Sequence, residues 1–268
     1  MIEIRNIEGI EVFSAAPLVQ PRPTQIVFVH GAFAGGWIWA DHFLPWFACQ
    51  GYRAHALSLR GHGGSRGHSM LAWHSISDYV DDLHHIVSWL GEDVVLVGHS
   101  MGGFVVQKYF ERHPVAAAVL MCSAPPQGLA AAQFHLLLEH PQLFMDINNI
   151  MNGKYANTSI VQEALFAQPV KEEVLTSFLT RMQSESQRAL WDMTTFNLPL
   201  FFSRPQPPML VLGAEKDVLV PAFLVQTTAR SYGLKDHIFH GMGHALTHEQ
   251  DWPKVANYIR DWLVEHGY

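Results

Sequence analysis

Five short stretches of this chain, "TQIVFVHG", "YRAHALSLRG", "DVVLVGHS", "VAAAVLMCS" and "PPMLVLGAEKD", each carry a nearly unbroken apolar run, and a weaker one, "DHIFHG", follows them. A strand with one face in water alternates apolar and polar side chains. A run without alternation needs apolar surroundings on both faces, the condition of a strand inside a parallel sheet covered by helices. The segments between have the helical period. "SISDYVDDLHHIVSWLG" places Ile76, Val80, Leu83, Ile86, Val87 and Leu90 on one side, opens with a Ser75-x-x-Asp78 capping pattern and stops at Gly91. "SMGGFVVQKYFERHP" carries an apolar face through Phe104, Val105, Tyr109 and Phe110 and ends before Pro114. Pro221 opens a further helix closed by Gly233, and Asp251 is expected to cap a last one carrying Val255, Ile259 and Leu263. An α/β fold follows, with a mostly parallel sheet and helices on both faces.

One region breaks the alternation. From Pro125 to Pro208 no strand pattern occurs, only helix-like stretches such as "GLAAAQFHLLLEH" and "PVKEEVLTSFLTRMQSESQRALW". A strandless segment of that length between two strands of one sheet reads as a helical cap. The expected organisation is a core of residues 1–124 and 209–268 with a cap of residues 125–208 inserted in it. An extended N-terminal part, Ile2–Ile4 and Ile10–Phe13, precedes the first buried strand.

Lys and Arg total 17 against 24 Asp and Glu, and no basic block appears, so phosphate-backbone binding is not expected. The opening "MIEIRNIEGIEVFSA" lacks a basic segment followed by an apolar one, and no run approaches the roughly 18 apolar residues that span a bilayer. A cytoplasmic protein, monomer or homodimer, with no membrane or nucleic-acid partner, is the expectation. Cys49 and Cys122 fall in segments read as a core helix and a core strand, and both are expected to be buried, reduced thiols. The 17 histidines show no HxH, HExxH or paired Cys/His spacing, so neither a metal nor another cofactor is expected.

Gly98-His99-Ser100-Met101-Gly102 fits G-x-S-x-G. With Gly and Ser each near 7% of residues, such a match arises by chance in about one chain in ten of this length. Its context adds the weight: a buried-strand pattern ends at Gly98, and a helix begins just after Ser100. Small residues there allow the sharp turn that exposes a hydroxyl. A serine hydroxyl is a poor nucleophile at neutral pH, so it needs a base and a group that orients the base. His244, in "HGMGHALTHE", follows the last strand-like segment, and Asp217, in "LVLGAEKDVLVP", lies just past the strand before it. The order Ser, Asp, His is that of the nucleophile-elbow arrangement. In a doubly wound sheet the strand C-termini gather at one edge, where distant residues can converge. His248 competes for the base, and Glu215 and Asp236 for the acid. His30 and His99 flank the same edge and read as turn histidines that bond backbone and shape the pocket floor.

Negative charge on a carbonyl oxygen needs N–H donors. Met101, after the serine at a helix start, and Ala32, in the "HGAFAGGWIW" turn, are the candidates, with Phe33 as the alternative to Ala32. Phe33, Trp37 and His99 are candidate substrate contacts. "SLRGHGGSRG" lacks the lysine of G-x-x-x-x-G-K-[ST], and Arg66 stands where a G-x-G-x-x-G run needs its last glycine, so it reads as a tight strand-to-helix connection.

Together His30-Gly31, the turn from Arg60 to Ser65, Gly98 to Gly103, Asp217 and His244 resemble the motifs of the α/β-hydrolase superfamily, along nearly the whole chain. The resemblance implies an eight-stranded sheet, a cap after the sixth strand, and Ser100, Asp217 and His244 as nucleophile, acid and base. "HGAFAGGWIW" is similar to the opening of the methylesterase and hydroxynitrile lyase group. Those lyases carry a lysine after the catalytic histidine, where this chain has Ala245, so cyanohydrin cleavage is not implied. Ser100 likewise argues against the aspartate-nucleophile epoxide hydrolases and dehalogenases. "GHSMGG" is similar to cofactor-free haloperoxidases. Ser58 departs from relatives with an acidic residue before the glycine-rich turn. The expectation is a serine esterase for a small to medium apolar ester. Lactone, thioester, acyl-transfer and carbon–carbon cleavage chemistry share the machinery, and a slowly turning ligand sensor shares the scaffold.

Overall fold

The computed structural model describes residues 1–91, 94–151, 157–200 and 206–268. Among them eight strands form one sheet: β1 (Ile2–Ile7), β2 (Ile10–Ala15), β3 (Gln25–Val29), β4 (Arg53–Leu57), β5 (Val94–His99), β6 (Ala117–Met121), β7 (Met209–Ala214) and β8 (Asp236–Phe239). Their order is β1-β2-β4-β3-β5-β6-β7-β8. The β1–β2 and β2–β4 pairs are antiparallel and all others parallel. Asp93, where the third apolar run starts, lies outside the described residues.

The unbroken apolar runs are explained by the layers. Ile26, Phe28, Val95, Val97, Val119 and Leu212 face one core with α1 (Trp37–Ala40), α2 (Phe43–Cys49) and α11 (Trp252–Glu265). Val27, Val29, Leu96, Leu120 and Val211 face another with α3 (Ile76–Leu90), α4 (Met101–Phe110) and α10 (Ala222–Ser231). Alternate residues of one strand therefore meet helices on opposite sides. β4 and β5 flank β3 on either side, so the order of winding reverses between β3 and β5. The loops after those two strands meet at this switch point, where doubly wound sheets form their crevice.

Helix α3 starts with the expected capping box, Ser75 accepting from the Asp78 N–H and Asp78 from the Ser75 N–H, and stops at Gly91. Arg60 reaches back to it, pairing with Asp82 at 2.8 Å and Asp78 at 2.8 Å. Three expectations need correction here. Helix α4 has no exposed face: all ten of its residues are buried, and Lys108 is accommodated by Glu111 at 2.8 Å. Asp251 precedes α11 without capping it, because its carboxylate binds Lys254 and Gln168 instead. Cys122 is buried beyond β6, but Cys49 is exposed. The buried stripe of α2 is Phe43, Leu44, Phe47 and Ala48, and the next residue turns about 100° away from it.

Between β6 and β7 the described residues form α5 (Ala130–Glu139), α6 (Pro141–Met151), α7 (Thr158–Leu165), α8 (Glu172–Arg181) and α9 (Gln187–Trp191), and no strand. Residues 152–156 and 201–205 of the expected cap lie outside the described residues. The single helix suggested by "PVKEEVLTSFLTRMQSESQRALW" is in fact two, α8 and α9, separated by Met182–Ser186. That break is stabilised by contacts outside the helix: the Gln183 N–H donates to the Phe33 carbonyl at 3.1 Å, and the Gln183 side chain bridges Gly61 and Gly63.

Candidate active site

Ser100 stands between the end of β5 and the start of α4 with φ 54° and ψ −118°. A residue with a Cβ holds this conformation at a cost on the order of 1–3 kcal/mol, so the surroundings must impose it. They do so by close packing. A Cβ on Gly102 would run into the carbonyl oxygens of Val29 and His30, and one on Gly98 into the Gly102 carbonyl. The Ser100 N–H donates to Met121 at 2.9 Å, and its carbonyl accepts from Gly103 at 3.1 Å and Ala124 at 3.2 Å. The backbone is pinned on both sides of a half-buried side chain.

Asp217 follows β7 and His244 follows β8, and the two meet: His244 Nδ1–H donates to Asp217 Oδ2 at 2.7 Å. The other carboxylate oxygen accepts from the N–H groups of Leu219 at 2.9 Å and Val220 at 2.8 Å. Both side chains are buried. The bond fixes the tautomer, leaving Nε2 of His244 as the basic nitrogen. His244 and Ser100 line one cavity. The competing residues lie elsewhere. His248 pairs with Asp41 at 3.1 Å, and Asp41 also holds Arg181; against burial, the bonds from His248 and Arg181 together keep the Asp41 carboxyl far below the usual range. Glu215 accepts from the Gly241 N–H near the surface, and Asp236 opens β8.

Met101 is the first residue of α4, so its N–H has no intrahelical acceptor. The Gly31–Ala32 peptide is oriented by His30, whose Nδ1–H donates to the Gly31 carbonyl at 2.8 Å while Nε2 accepts from the Leu59 N–H at 3.0 Å. In a trans peptide the N–H points opposite to the carbonyl, so the same bond sets the direction of the Ala32 N–H. A Cβ on Gly31 would lie 3.0 Å from Ser100 Cβ, a measure of how closely this loop passes the serine. The Phe33 N–H is already engaged, donating to Glu185 Oε2 at 3.2 Å, which leaves Ala32 as the better second donor.

His30, in the loop after β3, and His99, which is the last residue of β5 rather than a turn residue, both bond backbone. Burial lowers both to about 3, so both are neutral. His99 Nε2–H donates to the His244 carbonyl at 2.9 Å, and its Nδ1 finds no partner among the described residues. His99, Cys122 and His244 bring three potential ligand atoms within 4.8 Å of one another. That set fits a metal poorly: Nδ1 of His244 is committed to Asp217, and burial, reinforced by the Asp217 carboxylate, pushes the Cys122 thiol well up.

Two cavities meet at Ser100. The smaller, about 110 Å³, is lined by Phe33, Trp37, Phe178, His99 and His244, and so includes all three expected substrate contacts. The larger, about 200 Å³, runs under α5 to α7 past Ala132, Leu136, Ile147, Val161 and Met193, with Gln133 its main polar side chain apart from Ser100.

Two buried carboxylates had no signal in the residue pattern. Glu249 accepts from the Gly243 N–H at 2.6 Å, beside His244, and from the N–H groups of Ala167 and Gln168. Glu185 accepts from Phe33, His62, Tyr79 and Ser186. The acidic residue absent at position 58 is replaced from another strand: Ser58 donates to Glu11 of β2 at 2.6 Å and accepts from the Gly36 N–H at 2.9 Å.

The chain is similar to a monoacylglycerol lipase of Mycolicibacterium smegmatis, 26% identical over 93% of this chain and 91% of that one. It is 37% identical to a non-heme chloroperoxidase of Kitasatospora aureofaciens, over only 44% of this chain and 42% of the relative. Among solved structures, an esterase from Exiguobacterium antarcticum superposes with a TM-score of 0.71 at 17% identity, covering 97% of this chain and 98% of that one. The model of the alpha/beta hydrolase family matches residues 26–257, and with the sheet order and the turn at Ser100 this establishes that the chain belongs to that family.

Proposed function

We propose that the protein is a serine hydrolase that cleaves carboxylic esters of small to medium apolar compounds through an acyl-enzyme on Ser100. The observation that carries this reading is the His244–Asp217 bond of 2.7 Å beside a cavity wall shared with Ser100. His244 Nε2 takes the Ser100 proton as Oγ attacks the ester carbonyl. The oxyanion accepts from the N–H groups of Met101 and Ala32, and Asp217 stabilises the imidazolium. His244 then gives its proton to the leaving alkoxide, and water repeats the cycle to free the acid.

Because the leaving oxygen must meet His244, the alcohol portion occupies the smaller cavity and the acyl chain the larger. Apolar walls on both suit substrates without charge. In this reading residues 125–208 act as a cap that shapes the acyl site, and no cofactor takes part. The esterase and lipase names among the relatives support the reaction class.

A panel of p-nitrophenyl esters from acetate to octanoate, read with wild type and Ser100→Ala, tests the proposal. Wild-type turnover with a loss of about 10,000-fold or more in the variant is expected. Tight binding without turnover by the wild type would instead favour a ligand sensor.

A further inference from the structure

The break between α8 and α9 carries Glu185, whose side chain is fully buried, yet pairing with His62 holds its carboxyl below the ordinary carboxylate value against that burial. Four donors converge on it. Oε2 accepts from the Phe33 N–H at 3.2 Å and from His62 Nε2 at 3.0 Å; Oε1 accepts from the Tyr79 hydroxyl at 2.8 Å and the Ser186 N–H at 2.6 Å. His62 Nδ1 faces the Arg60 carbonyl at 3.1 Å, so both its ring nitrogens meet acceptors and both need protons. The imidazolium compensates the carboxylate, and the pair adds no net charge beside the place where an oxyanion would form.

The bond to Phe33 is the part that bears on chemistry. Phe33 has φ 64°, a left-handed value unusual for a bulky residue, and it directly follows Ala32. His30 holds the peptide before Ala32 and Glu185 the peptide after it. With both planes fixed, the φ and ψ of Ala32 have no freedom left. We propose that Glu185, carried by the helical insertion, is a positioning residue that holds the Phe33 peptide and thereby aims the Ala32 N–H at the reacting carbonyl oxygen. This rests on the reading of Ser100 as the nucleophile. It makes the donor loop a product of two segments: without the insertion docked, that loop lacks its second anchor.

Glu185→Gln tests it, because an amide cannot accept from both Phe33 on one oxygen and Ser186 on the other. Tyr79→Phe is the control, since it removes a donor from the same carboxylate without touching the Phe33 bond. For Glu185→Gln, kcat per folded molecule on p-nitrophenyl butyrate should fall about 10- to 100-fold with KM within about threefold. The inhibition constant of a boronic acid, which places an oxygen in the same donor site, should rise by a matching factor. Tyr79→Phe should lower Tm yet keep kcat within about twofold. If Glu185→Gln does not fold, Glu185→Asp, which keeps the charge but withdraws the carboxylate, is read in the same way. Unchanged kcat in the Glu185 variant, or parallel losses in both variants tracking Tm, overturns the assignment. An inactive Ser100→Ala beside a fully active Glu185→Gln refutes only the role of Glu185, whereas an active Ser100→Ala refutes the hydrolase reading itself.

Discussion

Asp217 divides its two oxygens between His244 and the backbone of its own loop. Replacing it by Asn preserves the shape but presents His244 with either an N–H donor or a weaker acceptor, and the imidazole loses the tautomer that makes Nε2 basic. Asp217→Asn should therefore lower kcat by about 1,000- to 10,000-fold with little change in KM, measured on the short-chain ester. A loss below tenfold would mean that His244 is oriented chiefly by other groups. The positions of Ser100 and Asp217 were legible because each follows a strand with an unbroken apolar run, and that of His244 because it follows the weaker run of β8 and strand ends share an edge. Glu185 was not. It sits in a helix-like run, and what makes it a buried acceptor is His62, Tyr79 and Phe33, which lie more than a hundred residues away in the sequence.

Helix α5 shows what element-level reading can reach. Its pattern was visible in "GLAAAQFHLLLEH", and Ala132 and Leu136 face inward as such a helix should. Which wall they form depends on α6 and α7, whose packing no periodicity encodes. Ala132 lines the larger cavity, so Ala132→Phe shortens it without approaching His244. With the acyl chain in that cavity, kcat/KM for an octanoate ester should fall about tenfold or more while the acetate ester stays within about threefold. Equal losses on both, or sensitivity to alcohol size instead, would reverse the assignment of the two cavities. The misreadings at element scale share one cause. A helical period says that a segment has an inner face, but not how wide the face is, as α4 and α2 show from opposite directions, nor where an outside contact interrupts it, as at Met182–Ser186.

At the scale of the whole molecule the buried histidines contribute to loss of stability in acid. His30 and His99 are lowered from 6.5 to about 3 and His55 to about 4, each chiefly by burial. A depressed folded value means that the unfolded chain binds the proton first. Their stabilisation is therefore complete above about pH 6.5 and drains away as pH falls toward 3 to 4, at about 1.4 kcal/mol per pH unit for each group. His62 behaves oppositely. The Glu185 carboxylate raises it against burial, so its stabilisation is complete below about 6.5 and is lost only as pH rises through its folded value. It cannot offset the acid loss. The unfolding free energy from urea titrations should fall by several kcal/mol between about pH 7 and pH 5, with the midpoint falling in proportion and the m-value unchanged. A flat profile across that interval would show that these rings are hydrated in solution.

The backbone at Ser100 has a consequence for how such a protein changes over generations. Its φ of 54° would be relaxed by glycine, the residue that supports such a conformation without steric penalty. With Ser100 as the proposed nucleophile, selection for heat resistance alone would draw position 100 toward a glycine that cannot fill that role, while selection for turnover would hold it at serine. In that reading durability and activity compete at this one residue, and the strain is set against the burial of two layers of core.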